Sequence, residues 1–86
     1  DTALRLLPIA RADAAAMVEE LKVARLLRGW RGAPASDLPA LVDAIMAFAA
    51  MAAAAGERLA EAEVNPLFVL PEGQGVCAAD GLAVLR

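Results

Sequence analysis

Histidine is absent from this 86-residue chain, and cysteine occurs once, as Cys77. Without histidine, the chain alone can build neither a Ser-His-Asp nor a Cys-His catalytic centre, and it has no histidine ligand for a metal. A single cysteine excludes an internal disulfide and a cysteine-based zinc site. Cys77 lies between Val76 and Ala78 in the middle of a strand-like segment, so we predict that it is a buried structural thiol. Low cysteine usage fits a cytoplasmic protein, which is the location we expect.

Basic residues are also in short supply. The chain has 8 Lys and Arg against 11 Asp and Glu, which gives a net charge of −3. Because nucleic-acid binders carry a basic excess, we expect no nucleic-acid partner. The longest apolar run, residues 44–55, is mostly alanine and too short to cross a bilayer, so we expect no membrane partner. A 60% apolar composition excludes global disorder.

The length indicates one small domain, residues 1–86. The chain begins with Asp1 rather than Met, and residues 4–7 are already strand-like. We therefore interpret it as a fragment of a larger domain. No signal peptide is visible.

Two helices are predicted from the apolar periodicity. The first covers residues 11–27, and the glycines of residues 28–34 end it in a loop where Trp30 should pack against the domain. The second begins at a cap supplied by Ser36 or Asp37 and ends at Gly56.

Strand-like segments follow, around residues 64–70, 76–79 and 82–85. The predicted fold is α+β, an antiparallel sheet with the two helices packed on one face.

A polar pair is predicted within this sheet. If Glu72 and Gly73 form a two-residue loop, Asn65 lies opposite Asp80. Opposed residues of an antiparallel pair share a face, and Mg²⁺ accepts amide and carboxylate oxygens together with phosphate oxygens and waters. Strand alternation adds Glu61 and Glu63 to that face, and it predicts that the same face becomes apolar toward the turn, at Leu67 and Val69.

Two alternatives stay open at this point. A loop formed by Gly73, Gln74 and Gly75 would shift the register by one and separate the polar pair. Asn-Pro and Asp-Gly are also common turn dipeptides, so the two residues can be structural turn formers without any metal role.

The segments EAEVNPL (residues 61–67) and GVCAAD (residues 75–80) resemble the C-terminal end of the ATP-grasp domain of NDP-forming acyl-CoA synthetases. That group includes ADP-forming acetyl-CoA synthetases and the β subunit of succinyl-CoA synthetase. Upstream, LLRGWRGAP (residues 26–34) and RLLP (residues 5–8) are similar to the same group, in the same order. The resemblance thus covers nearly the whole chain.

The resemblance implies a C-terminal ATP-grasp lobe that binds ATP and Mg²⁺ within an acid–CoA ligase. It implies that Asn65 and Asp80 hold Mg²⁺, with Glu63 as a further candidate. The implied partners are the remaining ATP-grasp lobe and the CoA-binding domains or subunit. The family's phosphate-carrying histidine and glycine-rich loop are missing here, so we expect the isolated chain to be inactive. Alternatives are a non-catalytic interaction or regulatory module, and the ATP-grasp segment of a protein acetyltransferase.

Overall fold

The structure, a computed structural model, describes residues 2–21, 23–29, 32 and 34–86. Trp30 and Arg31, for which the sequence predicts a packed loop, lie outside the described residues. The chain forms helices first and strands afterwards. The elements are α1 (Arg11–Glu20), α2 (Ala24–Leu27), α3 (Leu38–Ala55), a 3₁₀ turn (Gly56–Arg58), β1 (Leu59–Val64), β2 (Leu67–Val69), β3 (Val76–Ala78) and β4 (Gly81–Leu85).

Helix α3 has the boundaries that its sequence predicts. The Asp37 carboxylate accepts a hydrogen bond from the Ala40 N–H at 3.2 Å, and Pro39 lies in the first turn, where its missing N–H costs nothing. Gly56 ends the helix with a positive φ of 57°, a conformation that glycine adopts without a steric penalty.

The predicted first helix is two shorter helices instead of one. Helix α1 ends at Glu20 because Leu21 takes an extended conformation, with φ −81° and ψ 138°, and α2 starts at Ala24. No glycine or proline marks this break in the sequence, so local pattern could not reveal it. At the N-terminus of α1, the Asp13 carboxylate accepts from the Ala10 N–H at 2.7 Å, which is one half of a capping box. Ala10 has no side-chain acceptor to supply the other half.

The strands form one long hairpin that is divided into two ladders. β1 pairs with β4 and β2 pairs with β3, both antiparallel. The break falls at the Asn65–Pro66 step, a cis peptide bond. Pro66 has no N–H to donate, so the ladder cannot run through it unbroken. A bulge near the start of β1, between Leu59 and Glu61, shifts the register once more.

The buried core lies between α1 and α3. Its centre is Ala14, Val18 and Val42, which are 0%, 3% and 8% exposed. On its other side α3 contacts β1, β2 and β3, so the helix is the middle layer of the fold. The partly buried residues packed around the core are Ile9, Leu38, Leu41, Ile45 and Met46. The predicted α+β class with an antiparallel sheet is confirmed, and α1 joins it chiefly through α3.

Residues 4–7 are not a β-strand, contrary to the prediction. An extended segment becomes a strand only when a neighbour pairs with it, and within the described part of the chain no strand does so. Leu6 is 88% exposed. Arg5 instead makes a two-pronged ion pair with Glu20 of α1, in which one of the two hydrogen bonds measures 3.2 Å.

Among the residues that the structure describes, one stretch is apolar enough to cross a membrane by length and composition alone. It is Leu38–Arg58, 21 residues with a mean hydropathy of 1.9, and it includes the shorter uninterrupted apolar run of residues 44–55. Core helices of soluble proteins can have the same length and composition. Here the helix contacts α1 on one side and the strands on another.

If the core is assigned correctly, removal of the two methyl groups of a valine should destabilise the fold more at a buried position than at an exposed one. Val18→Ala should destabilise the fold by about 2 kcal/mol, since burial of each methyl group contributes roughly 0.8 kcal/mol and the remaining cavity adds to the loss. Val23→Ala is the matched control, because Val23 is 39% exposed. It should cost less than about 1 kcal/mol. Urea unfolding followed by circular dichroism gives both values, and equal losses would contradict the assigned core.

The Arg5–Glu20 pair predicts a pH dependence. The hydrogen bond from Arg5 holds the pKa of Glu20 below its ordinary value of 4.5 and raises the pKa of Arg5. A lowered folded-state pKa stabilises the fold above pH 4.5, and this contribution disappears as the pH falls through the folded-state value. Glu20 is exposed and Arg5 is partly exposed, so solvent screens the pair and the effect on stability is small.

The difference in melting temperature between the parent and Glu20→Gln should therefore shrink below pH 4.5 and should also shrink in high salt. A difference that grows on acidification would show that the pair does not form.

Candidate functional site

The hairpin has the register that a Glu72–Gly73 loop predicts. The Gln74 N–H donates to the Pro71 carbonyl at 2.9 Å, and the Leu70 N–H donates to the Gly75 carbonyl at 3.0 Å. Gly73 takes a φ of 84°, which explains why glycine occupies this turn position. The alternative one-residue shift is therefore excluded.

The same register continues across the break in the ladder. On one side of the break Val64 pairs with Gly81, and on the other side Leu67 pairs with Ala78. Between them the Ala79 N–H donates to the Pro66 carbonyl at 3.0 Å. The two ladders are thus one hairpin with an interruption, and positions inside the interruption still face each other.

Asn65 and Asp80 are the opposed positions inside this interruption. The Asn65 N–H donates to the Asp80 carbonyl at 3.1 Å, and both residues are exposed. Each lies just outside the regular strands, Asn65 after β1 and Asp80 before β4. The predicted opposition of the two residues is confirmed at the level of register and backbone pairing.

The Asp80 carboxylate has one oxygen engaged by its own turn. Its Oδ1 accepts from the Gly81 N–H at 2.8 Å. Within the described part of the chain, Oδ2 has no hydrogen-bond partner. Asp80 therefore stabilises a turn and at the same time presents a free, exposed oxygen.

Glu63 lies on the outer face of β1, opposite Leu82. Together with Glu61, Ala62 and Leu82 it lines a shallow recess of about 100 Å³. Glu63 is two residues from Asn65 along the chain, and the two remain neighbours along the same hairpin arm.

The prediction that one face of the hairpin carries both the acidic residues of β1 and the apolar residues of β2 is wrong. Val64 and Leu67 line the same groove against α3, although strict alternation would turn them to opposite faces. Glu61 and Glu63 alternate with Val64, so they lie on the face away from the groove, whereas Leu67 lies inside it. The acidic face of β1 therefore does not continue into the apolar face of β2, because the pleat is interrupted at Pro66.

The donor set at the interruption fits a divalent cation that keeps other ligands. It consists of one carboxylate and one amide, with a second carboxylate, Glu63, nearby. No group of three or more Cys, Asp or Glu residues able to hold a metal is found among the described residues. Mg²⁺ binds through one or two protein oxygens when phosphate oxygens and waters complete its octahedron, so the chemistry of the pair suits that ion.

The burial of one further side chain and the hydrogen bonding of another differ from what the sequence predicts. Cys77 is a free, exposed thiol rather than a buried one, because β3 turns it away from α3. Asp37 does more than cap α3: its carboxylate also accepts from the Gly75 N–H at 2.8 Å. That bond joins positions 38 residues apart, so no local pattern could indicate it.

Comparison with known proteins identifies the family to which this chain belongs. The family model described as ATP-grasp domain matches residues 1–85. This chain belongs to the ATP-grasp family. The match confirms the resemblance to an ATP-grasp domain that the motifs indicate, and it covers all but the last residue of the chain.

Relatives of this ATP-grasp segment include ligases. The β subunit of an ADP-forming acetate–CoA ligase II from Pyrococcus furiosus is 30% identical over 86 residues, which is 100% of this chain and 36% of the subunit. An ADP-forming acetate–CoA ligase I from Archaeoglobus fulgidus is 36% identical over 76 residues, 88% of this chain and 11% of the ligase.

Solved structures have the same fold. A Ca. Korarchaeum cryptofilum dinucleotide forming acetyl-coenzyme A synthetase 1, in complex with coenzyme A and Mg-AMPPCP, matches with a TM-score of 0.83 and 33% identity, covering 95% of this chain and 37% of that one. A Pyrococcus horikoshii protein matches with a TM-score of 0.89 and 29% identity, covering 95% and 34%. The chain thus spans about a third or less of the length of the relatives that it matches.

Proposed function

We propose that this chain is the C-terminal, nucleotide- and Mg²⁺-binding lobe of an ATP-grasp domain in an NDP-forming acyl-CoA synthetase. The intact protein would convert a carboxylic acid, CoA and ATP to acyl-CoA, ADP and phosphate. The observation that carries the proposal is the opposition of Asn65 and Asp80 at the interruption of the hairpin. It is supported by ligase relatives and by a solved relative in complex with Mg-AMPPCP.

Asn65 and Asp80 are the residues proposed to hold Mg²⁺. The amide oxygen of Asn65 and the free Oδ2 of Asp80 supply two hard donors. The ion would neutralise charge on the nucleotide phosphates, which is the chemistry it contributes to phosphoryl transfer. Glu63 is a further candidate ligand, and its position on the same hairpin arm supports this role.

The surface of the lobe supports partners from the rest of the same protein. Between α3 and the strands runs an open apolar groove of about 640 Å³, whose lining includes Phe48, Met51 and Leu67. Monomeric proteins seldom leave such surfaces uncovered. We propose the remaining ATP-grasp lobe and the CoA-binding domains or subunit as partners, and the cytoplasm as the location.

Replacement of the proposed carboxylate ligand tests this function. Asp80→Asn keeps the shape of the side chain but removes its negative charge, so metal–nucleotide binding should weaken and the γ-phosphate should be misplaced. We expect acyl-CoA synthesis by the intact protein to fall by about a hundredfold or more, because positioning and charge neutralisation carry most of this chemistry. Asn65→Ala should act in the same direction, and the double variant should be less than additive.

The measurement is steady-state acyl-CoA synthesis at several Mg²⁺ concentrations, with thermal melts as the folding control. Glu72→Gln is the matched variant, since it removes the same charge from an exposed position at the tip of the same hairpin. Its turnover should equal that of the parent. Normal turnover and unchanged Mg²⁺ dependence in both Asp80→Asn and Asn65→Ala would reduce these residues to turn formers.

The isolated chain should fold but should catalyse nothing. It contains no histidine to carry a phosphoryl group, and it lacks most of the groups needed to bind a triphosphate. Purified chain incubated with ATP, acetate and CoA should therefore form no acyl-CoA, as followed by chromatography. Turnover that scales with the amount of chain would refute the proposal that it is only one lobe of the site.

A further inference from the structure

Asp37 is a buried carboxylate, 9% exposed, with both oxygens hydrogen-bonded. Oδ1 accepts from the Ala40 N–H at 3.2 Å and Oδ2 accepts from the Gly75 N–H at 2.8 Å. Its own backbone N–H donates to the Leu70 carbonyl at 2.8 Å. Asp37 thus joins the first turn of α3 to both arms of the hairpin where they enter the Glu72–Gly73 loop.

Backbone contacts on either side of Asp37 extend this junction. Ser36 and Pro71 form an antiparallel bridge, and the Glu72 N–H donates to the Ala35 carbonyl at 2.9 Å. The tip of the hairpin is therefore tied to the N-terminus of α3. The other end of the hairpin is tied to the C-terminus of α3 by the chain itself, through the turn Gly56–Arg58. The hairpin lies along α3 and is fixed at both ends.

The weak point of the hairpin lies between these two ties. β2 and β3 are three residues long each, and a ladder of that length has little stability of its own. The ladder is interrupted where Pro66 cannot donate a hydrogen bond. The interruption is also the place where Asn65 faces Asp80.

We propose that Asp37 is a positioning residue, which clamps the β2–β3 end of the hairpin to α3 and thereby holds Asn65 opposite Asp80. Backbone bonds from residues 35–37 hold the β2 arm at residues 70–72, whereas the Asp37 carboxylate holds the β3 arm at Gly75. Without the bond to Gly75, the β3 arm would shift relative to the β2 arm and change the spacing of the proposed Mg²⁺ ligands. The kinetic part of this inference rests on the proposed function.

Two substitutions separate the clamp from the helix cap. Asp37→Ser keeps a good N-cap oxygen for Ala40 but is too short to reach Gly75 as well. Asp37→Ala removes the cap and the clamp together. If Asp37 acts by positioning, both variants should lose function to a similar degree, although Asp37→Ala should melt at a lower temperature than Asp37→Ser.

Hydrogen–deuterium exchange on the intact protein tests the clamp itself. In Asp37→Ser, peptides that cover β2 and β3 should exchange faster, whereas peptides that cover β1 and β4 should exchange as in the parent. Unchanged exchange in β2 and β3 would overturn the clamp, whatever the catalytic results. Faster exchange over the entire lobe would also overturn it, because the effect would then be general destabilisation.

The Mg²⁺ dependence of acyl-CoA synthesis tests the positioning role. We expect the Mg²⁺ concentration for half-maximal activity to rise about tenfold or more in Asp37→Ser and Asp37→Ala, since small misplacements of reacting groups are costly. Asp80→Asn is assayed beside them. An unchanged Mg²⁺ requirement in Asp37→Ser, with a raised requirement in Asp80→Asn, overturns the positioning role alone. An unchanged requirement in Asp80→Asn overturns the proposed function and the positioning role with it.

Discussion

A buried carboxylate needs a donor for each of its oxygens, and Asp37 finds its two donors in different segments of the chain. One donor is an amide in the first turn of α3, and the other is an amide next to the hairpin loop. Both bonds are charge-assisted, and the helix N-terminus adds a favourable dipole. The carboxylate acts together with the backbone bonds from Asp37 to Leu70 and from Glu72 to Ala35. Apart from these polar contacts, the helical and β-sheet halves of this fold meet chiefly through side chains that remain partly exposed.

The fold depends on these polar contacts because the lobe buries little apolar surface. Among the described residues, the buried centre of the core consists of small side chains, Ala14, Val18 and Val42, and it lies between α1 and α3. On the other side of α3 the contact with the strands leaves an open groove. In a chain of this size, hydrogen bonds between defined groups therefore contribute more to determining the fold than they would in a larger domain.

Local signals in the sequence predicted the features that depend on local chemistry. The end of α3 at Gly56 was predicted, the cap was narrowed to Ser36 or Asp37, and Glu72–Gly73 was one of two possible loops. These features could be predicted because each depends on residues a few positions apart. The opposition of Asn65 and Asp80 follows from the Glu72–Gly73 loop, so the geometry of the candidate site was predicted for that loop and not for the other. Its assignment to Mg²⁺ came from the family resemblance, since an Asn-Pro and an Asp-Gly also form ordinary turns.

The features that sequence reasoning missed depend on distant partners or on interrupted patterns. The break after Glu20 has no glycine or proline to mark it. The change of face between Glu63 and Leu67 was missed because alternation was carried through a proline that cannot continue the ladder. The bond from Asp37 to Gly75 spans the whole of α3 and most of the hairpin, and only the assembled fold brings those groups together.

Helix α3 carries a single charged residue, Asp43, which is paired with Arg11 of α1 at 2.6 Å. The side of α3 that faces neither α1 nor the strands is built largely from alanine. Per-residue hydropathy scores alanine as apolar, but its side chain exposes far less apolar area than leucine or phenylalanine, and it is the strongest helix former. Alanine therefore lets α3 remain helical with one side in water at low cost. Larger apolar residues on that side would make the solubility of the lobe depend on a permanent cover.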